Sequence, residues 1–256
     1  GRGDGMSTVM PANDGRTYYG AMGSWGVAEF ASDGKLRPQS LAPAEAPAWT
    51  LATEFSDIIS TSDGVYFAGR NGVVQWHPGT RTTRFFNALG VSKIFAVGDE
   101  VFVSCYRQPL QRIDRESGAL RIDESLSLGG ETVQLATPLD ARQTLIGTRE
   151  GRFYIFDGRS VTPWLPQAKN DLTGRILALQ HLADGGTALA LAGKGLFVVS
   201  ADGGITTALT TAQYHRITDL AAREPGVLWV ATEDAVEKVL YGGPLSVFGQ
   251  RLGVTT

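Results

Sequence analysis

Ser62-Asp63-Gly64-Val65-Tyr66-Phe67-Ala68-Gly69-Arg70-Asn71-Gly72-Val73-Val74-Gln75-Trp76-His77-Pro78-Gly79 reads as turn, apolar strand, break, apolar strand, turn. Asp-Gly and Pro-Gly supply the backbone geometry of tight hairpins, and each apolar run has the length of a strand. Another strand precedes the stretch at Asp57-Ile58-Ile59. Elsewhere a fourth follows the second turn, as in Arg37-Pro38-Gln39-Ser40 and Leu245-Ser246-Val247-Phe248.

The same grammar recurs along the chain. First turns fall at Asn13-Asp14-Gly15, Ser62-Asp63-Gly64, Gly98-Asp99, Asp140-Ala141, Asp184-Gly185 and Pro225-Gly226. Second turns fall at Asp33-Gly34, Pro78-Gly79, Ser117-Gly118, Asp157-Gly158, Asp202-Gly203 and Gly242-Gly243, in strict alternation with the first. Four antiparallel strands repeated at a period of about 40 to 45 residues are the signature of propeller blades. One such sheet leaves two apolar faces to water, whereas radial stacking covers both. A β-sandwich would not repeat paired turns six times in register.

The chain is therefore expected to be all-β: a β-propeller with six recognisable four-stranded blades, over residues 6–48, 55–90, 91–130, 131–172, 175–212 and 215–250. No segment reads as a helix. Residues 1–5 read as a flexible terminus or tag, and 251–256 as a tail or the start of a further blade. That leaves part of a seven-bladed or larger ring as the alternative.

Composition narrows the function. The net charge is -3, and neither Lys nor Arg clusters, so no nucleic-acid footprint is present. The single cysteine, Cys105, allows no internal disulfide and lies in an apolar strand, where a buried structural thiol is expected. His77, His181 and His215 show no ligand spacing, no run resembles a calcium loop, and no metal or cofactor is expected. Asp57, Glu131 and Asp219 sit on or near first strands and read as polar groups hydrating a central channel. Ser62-Asp63-Gly64 and Ala183-Asp184-Gly185 read as hairpin turns. The chain itself is expected to carry no catalysis. A propeller-fold carbohydrate-active hydrolase or lyase is the alternative, and it would need two carboxylates, or a base and an Arg, converging at one channel mouth.

The sixth unit carries a resemblance. Ile217-Thr218-Asp219-Leu220, then Pro225-Gly226-Val227-Leu228-Trp229-Val230-Ala231-Thr232, then Val236-Glu237-Lys238-Val239, resembles the two-component regulator propeller repeat. That repeat runs as an Ile-rich strand, a Gly turn, Leu-Trp-Val-Gly-Thr and a second apolar strand. Leu145-Ile146-Gly147-Thr148 and Gly193-Lys194-Gly195-Leu196 echo it; Glu233-Asp234-Ala235, without the Gly, and Arg107-Gln108-Pro109 depart from it. The resemblance implies an extracytoplasmic sensor, on the periplasmic side of a bacterial inner membrane. It implies a membrane segment and an output domain, such as a histidine kinase or diguanylate cyclase, outside this chain, and is compatible with a homodimer.

Loops joining second to third strands should gather with the blade-to-blade segments on one face. They carry Trp25, Arg70 and Asn71, Tyr106 and Arg107, Arg149 and Glu150, Lys194, and Glu233 and Asp234, joined by His215 and Arg216 from a blade-to-blade segment. Four of these loops bring a cation. Arg forks carboxylates and aromatic rings stack on apolar faces, so the expected partner is a sugar-like or anionic small molecule, or a protein.

Overall fold

In the computed structural model, residues 5–12, 14–122, 128–164, 172, 174–210, 217–241 and 246–248 are described. The chain forms six four-stranded antiparallel sheets, each ordered first to fourth along the sequence, the blades of a β-propeller. They fall into two compact units, residues 1–132 and 133–256.

The first unit holds three blades. These are β1 (Met6–Pro11), β2 (Thr17–Ala21), β3 (Ser24–Phe30) and β4 (Leu36–Ser40); β5 (Phe55–Thr61), β6 (Gly64–Gly69), β7 (Gly72–His77) and β8 (Thr82–Asn87); and β9 (Val91–Val97), β10 (Glu100–Cys105), β11 (Gln111–Asp114) and β12 (Ala119–Ile122). The second unit holds β13 (Val133–Pro138), β14 (Thr144–Thr148), β15 (Phe153–Phe156) and β16 (Val161–Pro163); β17 (Ile176–His181), β18 (Thr187–Leu191), β19 (Gly195–Val199) and β20 (Ile205–Thr210); and β21 (Ile217–Ala221), β22 (Val227–Thr232), β23 (Val236–Leu240) and β24 (Ser246–Phe248).

Within each unit, first strands pack on one another: β1 on β5, β5 on β9, β13 on β17, and β17 on β21. Second and third strands are the most buried. Every position of β6 is buried, and all but the last of β7, whereas β4, β12 and β16 are largely exposed. The continuous apolar runs are thus strands with a neighbour on both faces. In the first unit Tyr18, Trp25, Phe55, Phe67, Val74 and Trp76 form one such inter-blade core. Burying each large side chain contributes about 1.5–3 kcal/mol.

Second-strand glycines make this close approach possible. A Cβ on Gly20 would collide with the Phe55 backbone carbonyl oxygen of the next blade, and one on Gly147 would push aside the tip of the Ile176 side chain. The Asp-Gly turn signals become Asx turns. Asp33, Asp140, Asp157 and Asp184 each accept a backbone N–H two residues ahead through Oδ1.

Two features differ from the sequence reading. A single helical turn, α1 (Ala48–Leu51), stands in the link between β4 and β5. It is pinned by Thr50 Oγ1 donating to Pro47 O and Thr53 Oγ1 donating to Trp49 O, and Trp49 packs against Phe55 and Phe85. One turn is too short to show helical periodicity in a sequence. Each of the six first strands also carries a bulge at its second residue: Ser7, Ser56, Ser92, Gln134, Leu177 and Thr218. A bulge adds local twist and re-aims the residues after it.

Candidate functional site

In each antiparallel blade the second-to-third loop and the link to the next blade lie at the same end, which we call the loop end. In residues 1–132 these segments are stitched together by backbone bonds. Gly90 N–H donates to Arg70 O at 2.8 Å, and Tyr106 N–H donates to Gly90 O at 2.8 Å. Arg70, Leu89, Tyr106 and Arg107 therefore share one surface. Arg107 adopts a left-handed φ of 54°, unusual for a residue with a Cβ, and its N–H donates to Thr132 Oγ1 at 3.1 Å. This turn folds the Arg107 guanidinium over the Tyr106 ring, 5.2 Å from its centroid, with Tyr106 45% exposed. Among the described residues no carboxylate forms an ion pair with Arg70 or Arg107.

The other expected site residues divide. Trp25 is a correction: it is 0% exposed and packs against Phe55 and Phe85, so it is core and presents no ring to a ligand. Strand alternation decides this, since Ser24 and Trp25 open β3 and Trp25 faces the following blade. Asn71 is half-buried, and its Nδ2 donates to Ala52 O and Thr53 Oγ1, which ties its loop to the preceding link. In the second unit Arg149, Glu150, Glu233 and Asp234 are exposed on their loops and Lys194 is half-buried. His215 and Arg216 lie outside the described residues.

Of the carboxylates considered for catalysis, Asp57 is engaged in structure. Asp57 Oδ1 meets Lys93 Nζ at 2.8 Å, and Asp57 Oδ2 accepts Ile94 N–H at 3.1 Å, which locks β5 to β9. Glu131 is buried beside the last link of the unit, and Asp219 is exposed on β21. At the opposite, hairpin end, Asp63 Oδ2 accepts from the Tyr66 hydroxyl and Gln75 Nε2 and lies 3.6 Å from Arg115 Nε. A half-open cleft of about 350 Å3 lies there, lined among others by Asp14, Ser60, His77 and Pro78. Its most polar groups already have partners: Asp14 accepts Arg16 N–H and the Tyr18 hydroxyl, and His77 Nδ1 accepts Thr80 N–H. Cys105 is fully buried at the end of β10, and burial pushes its thiol up to about 11, so it stays protonated at neutral pH. Among the described residues no three His, Cys, Asp or Glu side chains converge as metal ligands.

No family model and no curated protein matches the chain. Among solved structures it is similar to virginiamycin B lyase from Staphylococcus aureus, at 12% identity and TM-score 0.66, covering 96% of this chain and 84% of that one. It is similar to the extracellular domain of a hybrid two component system from B. thetaiotaomicron, at 15% identity and TM-score 0.62, covering 94% of this chain and 32% of that one. A chain of the mitotic checkpoint complex matches at 12% identity and TM-score 0.71, covering 95% and 76%. These likenesses show the fold. A lyase, the extracellular domain of a two component system and a chain of a checkpoint complex share it, so function has to be read from the site. No helix among the described residues is long and apolar enough to cross a membrane.

Proposed function

We propose that this chain is a non-enzymatic, ligand-binding input propeller of a bacterial signal-transduction protein, acting on the extracytoplasmic side. The observation that carries the reading is the loop end of residues 1–132. There two Arg side chains without a described carboxylate partner flank an exposed Tyr, and a strained backbone holds one of them over the ring. Such a surface recognises a carboxylate-bearing or sugar-like ligand by a bidentate guanidinium and a stacking face. The two-component likeness supports the placement. This chain spans about a third of that extracellular domain. On this reading a membrane segment and an output domain would belong to the same signalling protein. Occupancy would be relayed to that output, which commonly works as a homodimer.

The test is a thermal-shift and calorimetric screen of hexoses, hexuronic acids and small dicarboxylates. A ligand that stabilises the protein, and whose effect is lost in both Arg107→Ala and Tyr106→Ala, supports the reading. Failure of every such compound to shift the protein would sink it, and turnover of any of them would replace it with an enzymatic one.

A further inference from the structure

The loop end of residues 1–132 also carries exposed apolar side chains that a small anion would leave untouched. Met22, Leu51 and Leu89 are 64%, 70% and 71% exposed. They come from three different segments: the β2–β3 turn, α1, and the link between β8 and β9. Backbone contacts fix their order. Met22 bridges to Glu54, and Gly23 N–H donates to Thr53 O at 2.8 Å. Gly23 has a φ of 66°, and a Cβ there would stand 2.8 Å from the Leu51 carbonyl oxygen, so this turn can sit against α1 only with glycine. Asn71 Nδ2 then joins Ala52 O and Thr53 Oγ1 to the next loop, and Gly90 joins Arg70 to Tyr106. Met22, Leu51, Arg70, Leu89, Tyr106 and Arg107 thus form one continuous strip, apolar at the first blade and mixed cationic, apolar and aromatic from the second to the third.

Met, Tyr and Arg are enriched in protein interfaces, and contiguous exposed apolar surface edged with charge marks a docking site. We propose that this strip docks a protein segment that sets apolar side chains against Met22, Leu51 and Leu89 and carboxylates against Arg70 and Arg107. The inference rests on the loop end being the binding face. Charge chooses the occupant. The two Arg side chains lack described carboxylate partners, whereas Glu54 on the strip already accepts from Ser7 Oγ at 2.8 Å. Exposed Glu45 lies nearer β4 in the same link, so the carboxylates of the partner belong at the third-blade end.

Fluorescence polarisation with short labelled peptides tests this: one rich in Leu and Glu, one in Leu and Lys, and one of Glu alone, with citrate as the small anion. The Leu- and Glu-rich peptide should bind saturably and more weakly as salt rises. Leu51→Asp and Arg107→Glu, both fully folded by circular dichroism, should each weaken it by about tenfold or more. Equal binding of the Leu- and Lys-rich peptide, or binding unaffected by Leu51→Asp, overturns the proposal. Citrate binding lost in Arg107→Glu with no peptide bound overturns the docking inference and leaves the ligand-binding reading standing. Absence of binding by peptides and citrate alike overturns the docking inference too, and the separate ligand screen then decides the other.

Discussion

The two ends of residues 1–132 use their charges in opposite ways. At the hairpin end Asp14, Asp33, Asp63, Asp99 and Asp114 all have partners: N–H groups of their own turns for Asp14, Asp33 and Asp114, the Ser62 N–H of the preceding blade for Asp99, the hydroxyls of Tyr18 and Tyr66, and the guanidiniums of Arg37, Arg115 and Arg121. Arg115 reaches furthest, since its Nη2 donates to Asp99 O at 2.6 Å while its Nε faces Asp63. At the loop end backbone bonds and the Asn71 amide do the stitching, and Arg70 and Arg107 face outward without a described carboxylate partner, beside exposed Leu89 and Tyr106. Charge at one end is consumed in holding the hairpins, and the two guanidiniums at the other remain available for a partner.

Variants at each end should therefore move different observables. The largest loss of stability is expected for Asp63→Ala, which strips a partner from Tyr66, buried Gln75 and Arg115 together. It should cost about 1–3 kcal/mol in urea unfolding and leave ligand binding unchanged. Arg107→Ala should do the reverse, shifting stability by no more than about 0.5 kcal/mol while abolishing the ligand response. A loss of binding in the first variant, or of folding in the second, would break the comparison.

Two pH effects sharpen it. Burial first, then the hydrogen bond and charge of Asp14, push the Tyr18 hydroxyl from 10.0 up to about 12. A folded pKa raised above the unfolded one gives stability that is complete below pH 10 and lost as pH rises towards 12. Alkaline unfolding followed by circular dichroism should therefore be shallower in Tyr18→Phe over that window. The smallest effect is in acid. Hydrogen bonds from Ser62 hold the Asp99 carboxyl below its usual 3.8, and the Ser117 N–H does the same for Asp114. Their contribution is present above that value and disappears as pH falls through the lowered pKa. Asp99 is exposed and Asp114 half-buried at a turn, and each lowering comes from single hydrogen bonds of a turn, so only a slight steepening of acid unfolding should separate wild type from Asp114→Asn.

Much of the fold was legible because hairpin geometry is local. Asp-Gly supplies its own turn through an Asx hydrogen bond, and burial on both faces is announced by the uninterrupted apolar run of β6 and by that of β7, broken only by Gln75 before its last two residues. The site was legible only in part. Tyr106 and Arg107 stood out as a polar break between two apolar strands, and the structure places them on the surface as expected. Trp25 stood at an equivalent break and proved to be core, because the ring lies against Phe55 and Phe85 from the next blade. Met22, Leu51 and Leu89 gave no signal, since single apolar residues in loops are ordinary.

The sequence by itself determined the strands, the turns and the six-fold count, because each depends on residues within a few positions of one another. Only the tertiary structure decided the bulge at the second residue of every first strand, the Asp57–Lys93 pair between blades, and the strip from Met22 to Arg107. The pair and the strip join residues tens of positions apart, through contacts that exist only after the blades have stacked, and the bulge arises only where a first strand pairs with its second; no local pattern encodes them.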